Sequence, residues 1–300
     1  MKRTQGKVLV KVPSDGIPGV DSESVIELIK PVYGLADAPR LWWKSLTKTL
    51  GELGMRQSKL DSCVFHYWDP ETNVLDGIIA FHVDDLIIGG SEKFYDDVFG
   101  KLQSKYPFKH VKDKQGEFLG KQLVQCDDGT LCIQQKEYAS AMACIPVSKE
   151  RRREKESPIT ENERGQMRAV LGEINWLVSG SRPDLAASCS LLQQRVSKAV
   201  VGDLIEVNKV VSQVHDHSNT EIKILPIPIQ NLEIGVWSDA SFANAEAHKS
   251  QGGYMVCAVE KGLKENKWSK VSPWRWRSFK QDRQRSEEHT SELQSRETIS

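Results

Sequence analysis

Between Ile78 and Gly90 the chain reads Ile-Ile-Ala-Phe-His-Val-Asp-Asp-Leu-Ile-Ile-Gly-Gly, two short apolar runs separated by a pair of adjacent acids. Strand-forming runs on either side of so brief a polar interruption predict a β-hairpin. If it turns at Asp84 and Asp85, both carboxylates lie at its tip. Two unit charges about 5 Å apart repel by roughly 3 kcal/mol at an effective dielectric near 20, so something must offset them. Water at an exposed tip does this, and a polar turn is an equally good reading of the spacing alone. A divalent cation does it better. Asp-Asp also departs from the Asn-Gly or Asp-Gly that such a turn prefers, and departures of this kind gather at functional sites. Mg²⁺, or Mn²⁺ in its place, suits one or two carboxylates and completes its shell with water and substrate phosphates, which is the setting of phosphoryl transfer.

The remainder has to supply a scaffold for that tip. With 300 residues and 39% hydrophobic content, the chain has material for one large domain or two ordinary ones. Lys+Arg 41 balance Asp+Glu 41, so a hold on nucleic acid has to come from a local basic face. The six cysteines, Cys63, Cys126, Cys132, Cys144, Cys189 and Cys257, contain no C-x-x-C pair, which argues against a zinc ribbon or disulfide framework and for a reducing compartment. No apolar run reaches the roughly 20 residues that span a bilayer, so a soluble chain with no membrane partner is expected.

Leu41, Trp42, Leu46, Leu50 and Leu53 predict an amphipathic helix over residues 39–55, with Pro39 in its first turn and Gly54 as its stop. Residues 63–68 read as a strand and 94–106 as a helix. Residues 117–124 and 129–134 suggest a hairpin around Asp127, Asp128 and Gly129. The charged run 148–158 reads as a linker, or equally as a solvated helix end. Two or three helices are expected over 167–217, broken near Ser181, Arg182 and Pro183, followed by strands at 232–237, 253–259 and 272–279. In the last of these, Arg275 and Arg277 alternate with Trp274 and Trp276. A half-buried strand explains the alternation, and its basic face could also follow a phosphate backbone.

Several ordered motifs resemble the Pol polyprotein of copia-type LTR retrotransposons. Val83-Asp84-Asp85 is similar to the Tyr-x-Asp-Asp box of its reverse transcriptase, with His82 where the family has Tyr. Residues 31–42, Pro-Val-Tyr-Gly-Leu-Ala-Asp-Ala-Pro-Arg-Leu-Trp, resemble its Leu-Tyr-Gly-Leu-Lys-Gln-Ala-Pro-Arg-x-Trp segment, with Ala36-Asp37 in place of Lys-Gln. Residues 58–65 resemble its Ser-x-x-Asp-x-x-(Leu/Val)-Phe strand, and Phe118-Leu119-Gly120 its Phe-Leu-Gly hairpin. Residues 168–177 and Ser181-Arg182-Pro183-Asp184-Leu185-Ala186 resemble its connection helices, and Trp237-Ser238-Asp239-Ala240 the opening strand of its ribonuclease H domain.

The resemblance implies an α+β chain: an incomplete reverse-transcriptase palm at 1–145, a charged linker at 146–166, a helical connection at 167–220 and a partial ribonuclease H-like α/β domain at 221–284. Residues 285–300 resemble a translated sequencing adapter. It further implies Asp84 as a metal ligand with Asp85 supporting it, and Asp239 as the first metal ligand of the ribonuclease H site. Tyr33, Gly34 and Arg40 would neighbour the nucleotide, although Tyr33 is equally a packed core aromatic. Trp42 and Trp43 are read as structural. The implied partners are an RNA template, a DNA primer, dNTP and RNA–DNA hybrid, in cytoplasm or nucleus. The family's further palm Asp precedes the segment matched by Lys7 to Pro13, and its ribonuclease H Glu follows Gln284, so the chain alone is expected to be inactive. A non-catalytic nucleic-acid-binding remnant and an unselected relic are the alternatives.

Overall fold

A computed structural model describes residues 7–30, 32, 34–241, 250–265 and 267–281. Tyr33 and the adapter-like 285–300 lie outside these. The described residues form an α+β architecture in two compact units, which divide at Val111/Lys112.

In the first unit, β1 (Leu9–Lys11) pairs antiparallel with β2 (Val25–Glu27). Helix α1 (Ala38–Glu52) starts with Pro39 in its first turn, where the missing N–H is no loss. It buries Leu46, Thr49 and Leu50, one side of a 3.6-residue repeat, and Gly54 at φ +84° ends the run. Four strands follow as an antiparallel meander: β3 (Arg56–Gln57), β4 (Val64–Trp68), β5 (Leu75–His82) and β6 (Asp85–Gly90). In β5, alternation sends Gly77, Ile79 and Phe81 inward and leaves Ile78 and His82 exposed. Helix α2 (Glu92–Phe94), a π-helical turn (Tyr95–Phe99) and α3 (Gly100–Lys105) close the core with Phe94, Val98 and Leu102.

The inner face has no room to spare. Gly77 and Gly90 oppose each other across β5 and β6, and a Cβ on either would come within 2.3 Å of the Phe94 ring. The β4–β5 connection is held by Asp69, which is 8% exposed. Its Oδ1 accepts from the Glu71 and Thr72 amides and its Oδ2 from Lys93 Nζ at 2.7 Å, and these bonds, Lys93 first, hold its carboxyl far below the usual range.

The second unit begins with β7 (Gln115–Phe118), β8 (Lys121–Gln125) and β9 (Leu131–Gln134), then α4 (Lys136–Ala141). The expected single strand over 117–124 is instead two. Leu119 and Gly120 turn with φ +52° and +68°, the all-positive pattern of a type I′ hairpin, while the second turn stands where Asp127 to Gly129 placed it. Helices α5 (Glu161–Gly180), α6 (Ala186–Arg195) and α7 (Val201–Asp216) pack around Leu171, Ile174, Leu177, Leu204 and Val211. Then β10 (Glu221–Ile224) returns to pair with β9, giving the sheet order β10-β9-β8-β7. β11 (Leu232–Ser241), β12 (Gln251–Glu260) and β13 (Val271–Lys280) form a separate antiparallel meander. Trp276 of β13 is tied to the helices by its indole N–H, which donates to the Val178 carbonyl at 2.7 Å.

The charged run 148–158 is held in place, unlike an open linker. Arg151 sits in a 3₁₀ turn and reaches Glu163 Oε1 at 3.0 Å, while Glu163 and Thr160 exchange side-chain-to-backbone bonds as a capping box at the start of α5. These contacts, Arg151 first, pull the Glu163 carboxyl down to about 2. The expected break near Pro183 is present. There Arg182, only 2% exposed, makes a two-pronged pair with Asp184 at 2.9 and 2.8 Å and donates to the His217 carbonyl.

Asp184→Asn leaves a buried guanidinium without its counter-charge and is expected to destabilise the second unit by about 3 kcal/mol in urea unfolding. Gly77→Ala must displace Phe94, and a stability decrease of about 2 kcal/mol is expected in the first unit. Because the Glu163 carboxyl is depressed, its contribution is present above about pH 4.5 and disappears as pH falls toward 2. Thermal unfolding of wild type and Glu163→Gln should differ at pH 6 and converge by about pH 2.

Candidate metal and nucleotide site at the β5–β6 turn

The pairing of β5 with β6 decides where the acids stand. Phe81 faces Leu86, and the closing pair is His82 with Asp85, which leaves Val83 and Asp84 as the two turn residues. The turn therefore sits one residue earlier than the expected Asp84-Asp85. The cause is the inward set: with Phe81 and Ile79 buried, Leu86 and Ile88 must lie opposite them, and that register consumes Asp85 as a strand residue. Asp84 occupies the tip, while Asp85 stands beside His82 on the face turned away from the core. All four residues from His82 to Asp85 are exposed.

Val83 has φ +55°, a left-handed conformation that a β-branched side chain adopts at a cost of about 1–2 kcal/mol. Asp84 does not share the positive φ, and positive φ at the first central residue alone marks a type II′ turn, whose usual first residue is Gly. Strain of this kind persists only where neighbours hold it. One neighbour is visible: the Trp42 indole N–H donates to the Val83 carbonyl. Trp42 lies on α1, and its ring meets Tyr106 edge-on at 5.2 Å; the Tyr106 hydroxyl in turn bonds Ser45 Oγ and Thr49 Oγ1 of the same helix. Trp43 donates to the Ser62 carbonyl at 3.3 Å. Sequence pattern assigns both tryptophans to packing and misses the bond to the turn, because no periodicity links residues 41 positions apart.

The other expected site residues are placed as follows. Gly34 is exposed at φ +94°, and a Cβ there would meet nothing within 4 Å, so its glycine answers to backbone conformation and no close approach is seen. Arg40 is exposed in the first turn of α1, two residues before Trp42. Asp239 belongs to the second unit, in β11 opposite Gly253, where its Oδ1 accepts from the Ala240 amide at 2.8 Å.

Asp84 and Asp85 suit a hard cation that takes one or two carboxylates and keeps several waters. Among the described residues no group of three His, Cys, Asp or Glu gathers at one place, so they build no closed protein cage. Nor do Asp84 and Asp85 make an ion pair among those residues, which leaves their oxygens available.

Residues 3–145 match the family model of reverse transcriptase (RNA-dependent DNA polymerase). The chain is similar to the putative transposon Ty5-1 protein of Saccharomyces cerevisiae, 24% identical over 270 residues, covering 83% of each chain. It is also similar to the retrovirus-related Pol polyprotein from transposon TNT 1-94 of Nicotiana tabacum, 25% identical over 189 residues, which cover 57% of this chain and 14% of that one. The acid pair at the β5–β6 turn, the family match over residues 3–145 and these two relatives agree in likening the chain to the Pol proteins of copia-type retrotransposons, with a reverse-transcriptase segment in its first half.

Proposed function

We propose that the β5–β6 turn is the metal-binding part of a nucleotidyl-transfer centre that joins a dNTP to a DNA primer on an RNA template. The observation that carries this is the pair Asp84 and Asp85, exposed at a strained tip within a segment that matches reverse transcriptase. Asp84 and Asp85 would hold Mg²⁺ or Mn²⁺, which when bound lowers the pKa of an attacking hydroxyl and stabilises the leaving phosphate oxygen. Arg40, exposed at the start of α1, supplies a cation for triphosphate or template. Among the described residues the turn offers two carboxylates, and on this reading transfer takes a further acid besides them, so that the chain alone does not extend primers. By the same resemblance, β11 to β13 begin a ribonuclease H-like domain with Asp239 as its first acid.

Titration of Mn²⁺ followed by electron paramagnetic resonance of the free ion should show binding to wild type, weakened about tenfold in Asp84→Asn. Equal binding by the two proteins would sink the proposal. Primer extension by the chain alone should give no product with Mg²⁺ or Mn²⁺, and an Asp84-dependent product would remove the need for another acid.

A second reading, nucleic-acid binding without metal chemistry, has its own support. A cavity of about 690 Å³ in the second unit is lined by Arg275, Arg277 and Lys280 together with Ser190 and Gln193, and among the described residues no carboxylate lines it. On this reading Arg275→Ala with Arg277→Ala weakens hybrid binding in EDTA, and the salt dependence of log K flattens by about one unit for each phosphate that the variant no longer neutralises.

A further inference from the structure

We propose that Trp42 is a positioning residue that sets the direction of the Asp84 carboxylate by holding the central peptide of the turn. The proposal rests on the reading of that turn as a metal-binding tip. In a two-residue hairpin turn, the I′ and II′ forms differ by a flip of the peptide between the two central residues, here the one joining Val83 to Asp84. The flip reverses the Val83 carbonyl and carries Asp84 between negative and positive φ. Aspartate tolerates both, so the side chain of Asp84 does not itself choose. Val83 opposes its own positive φ in either form. The choice falls to whatever grips the Val83 carbonyl, and the Trp42 indole N–H does so.

The donor is itself fixed. Trp42 stands on α1, packs against the hydrophobic core of the unit and meets Tyr106 edge-on at 5.2 Å. Tyr106 is anchored at its hydroxyl by Ser45 Oγ at 2.9 Å and Thr49 Oγ1 at 3.0 Å, so the ring on which Trp42 leans is tied back to α1. A rigid helix thereby reaches across to a strained loop and selects one of its two forms. Its indole N–H donates to the Val83 carbonyl and not to a carboxylate, so Trp42 acts on Asp84 through one peptide bond. Supports of this order behind a metal ligand typically change metal affinity by about tenfold or more when removed.

The test compares Trp42→Phe, which keeps a ring on Tyr106 and deletes the donor, with Trp43→Phe, which deletes the neighbouring donor to Ser62. Amide resonances of the full chain labelled with ¹⁵N are followed with and without Mn²⁺. Trp42→Phe should shift or double the Val83, Asp84 and Asp85 amide signals in metal-free protein and weaken Mn²⁺ broadening of them by about tenfold in concentration. Trp43→Phe should leave both unchanged, and both variants should keep the wild-type dispersion of signals from β4 and β5. Unchanged turn amides in folded Trp42→Phe would overturn the clamp, as would equal changes in Trp43→Phe. Absence of Mn²⁺ broadening in wild type would instead overturn the metal-binding reading, and the metal-free amide signals would still decide whether Trp42 holds the peptide.

Discussion

The antiparallel register of β5 against β6 is the constraint from which the first unit follows. It places Gly77 opposite Gly90 so that Phe94 can lie against both backbones, sends Ile79, Phe81, Leu86 and Ile88 to the core side, and leaves Val83 and Asp84 for the turn. A slip of one residue would reverse every side chain of one strand, exposing its apolar set and burying Asp85. The core therefore fixes the position of the acids although neither acid contributes to it.

Charge is used in two ways. Where carboxylates stabilise the fold they are engaged: Asp69 with two amides and Lys93, Glu163 with Arg151 and the Thr160 cap, and the half-exposed Asp184 with the buried Arg182. For Asp69 and Glu163 these hydrogen bonds favour the ionised form. Asp84 and Asp85 differ in being adjacent, exposed and without an ion pair among the described residues. Together with the left-handed Val83 they make the turn a place where the usual local preference of a two-residue hairpin is not met.

The second unit is organised by contacts between distant segments. β10 comes four helices after β9 in the chain and pairs with it, and Trp276 reaches from β13 to the carbonyl of Val178 on α5. Residues before and after the helices consequently share one sheet. The run 148–158 illustrates why composition misleads here: alternating Arg, Lys and Glu suggest a solvated tether, yet Arg151 is bonded to Glu154, Glu163 and the Pro158 carbonyl.

Among the described residues, no helix is long and apolar enough to cross a membrane. Much of the fold was legible in the order of residues, because its signals are local. The 3.6-residue apolar repeat and Pro39 marked α1, short apolar and aromatic runs marked β4 and β5, alternation marked β13, and Pro183 marked the break between α5 and α6. The acids were legible for the same reason, as a breach of turn preference within two apolar runs. What tertiary structure alone decided was register and reach: which two residues form the turn, that Leu119-Gly120 divides a strand, and that Trp42 grips the carbonyl of Val83. Those depend on which side chains a shared core can bury and on bonds between segments far apart in the chain, and neither quantity is written in any short window of sequence.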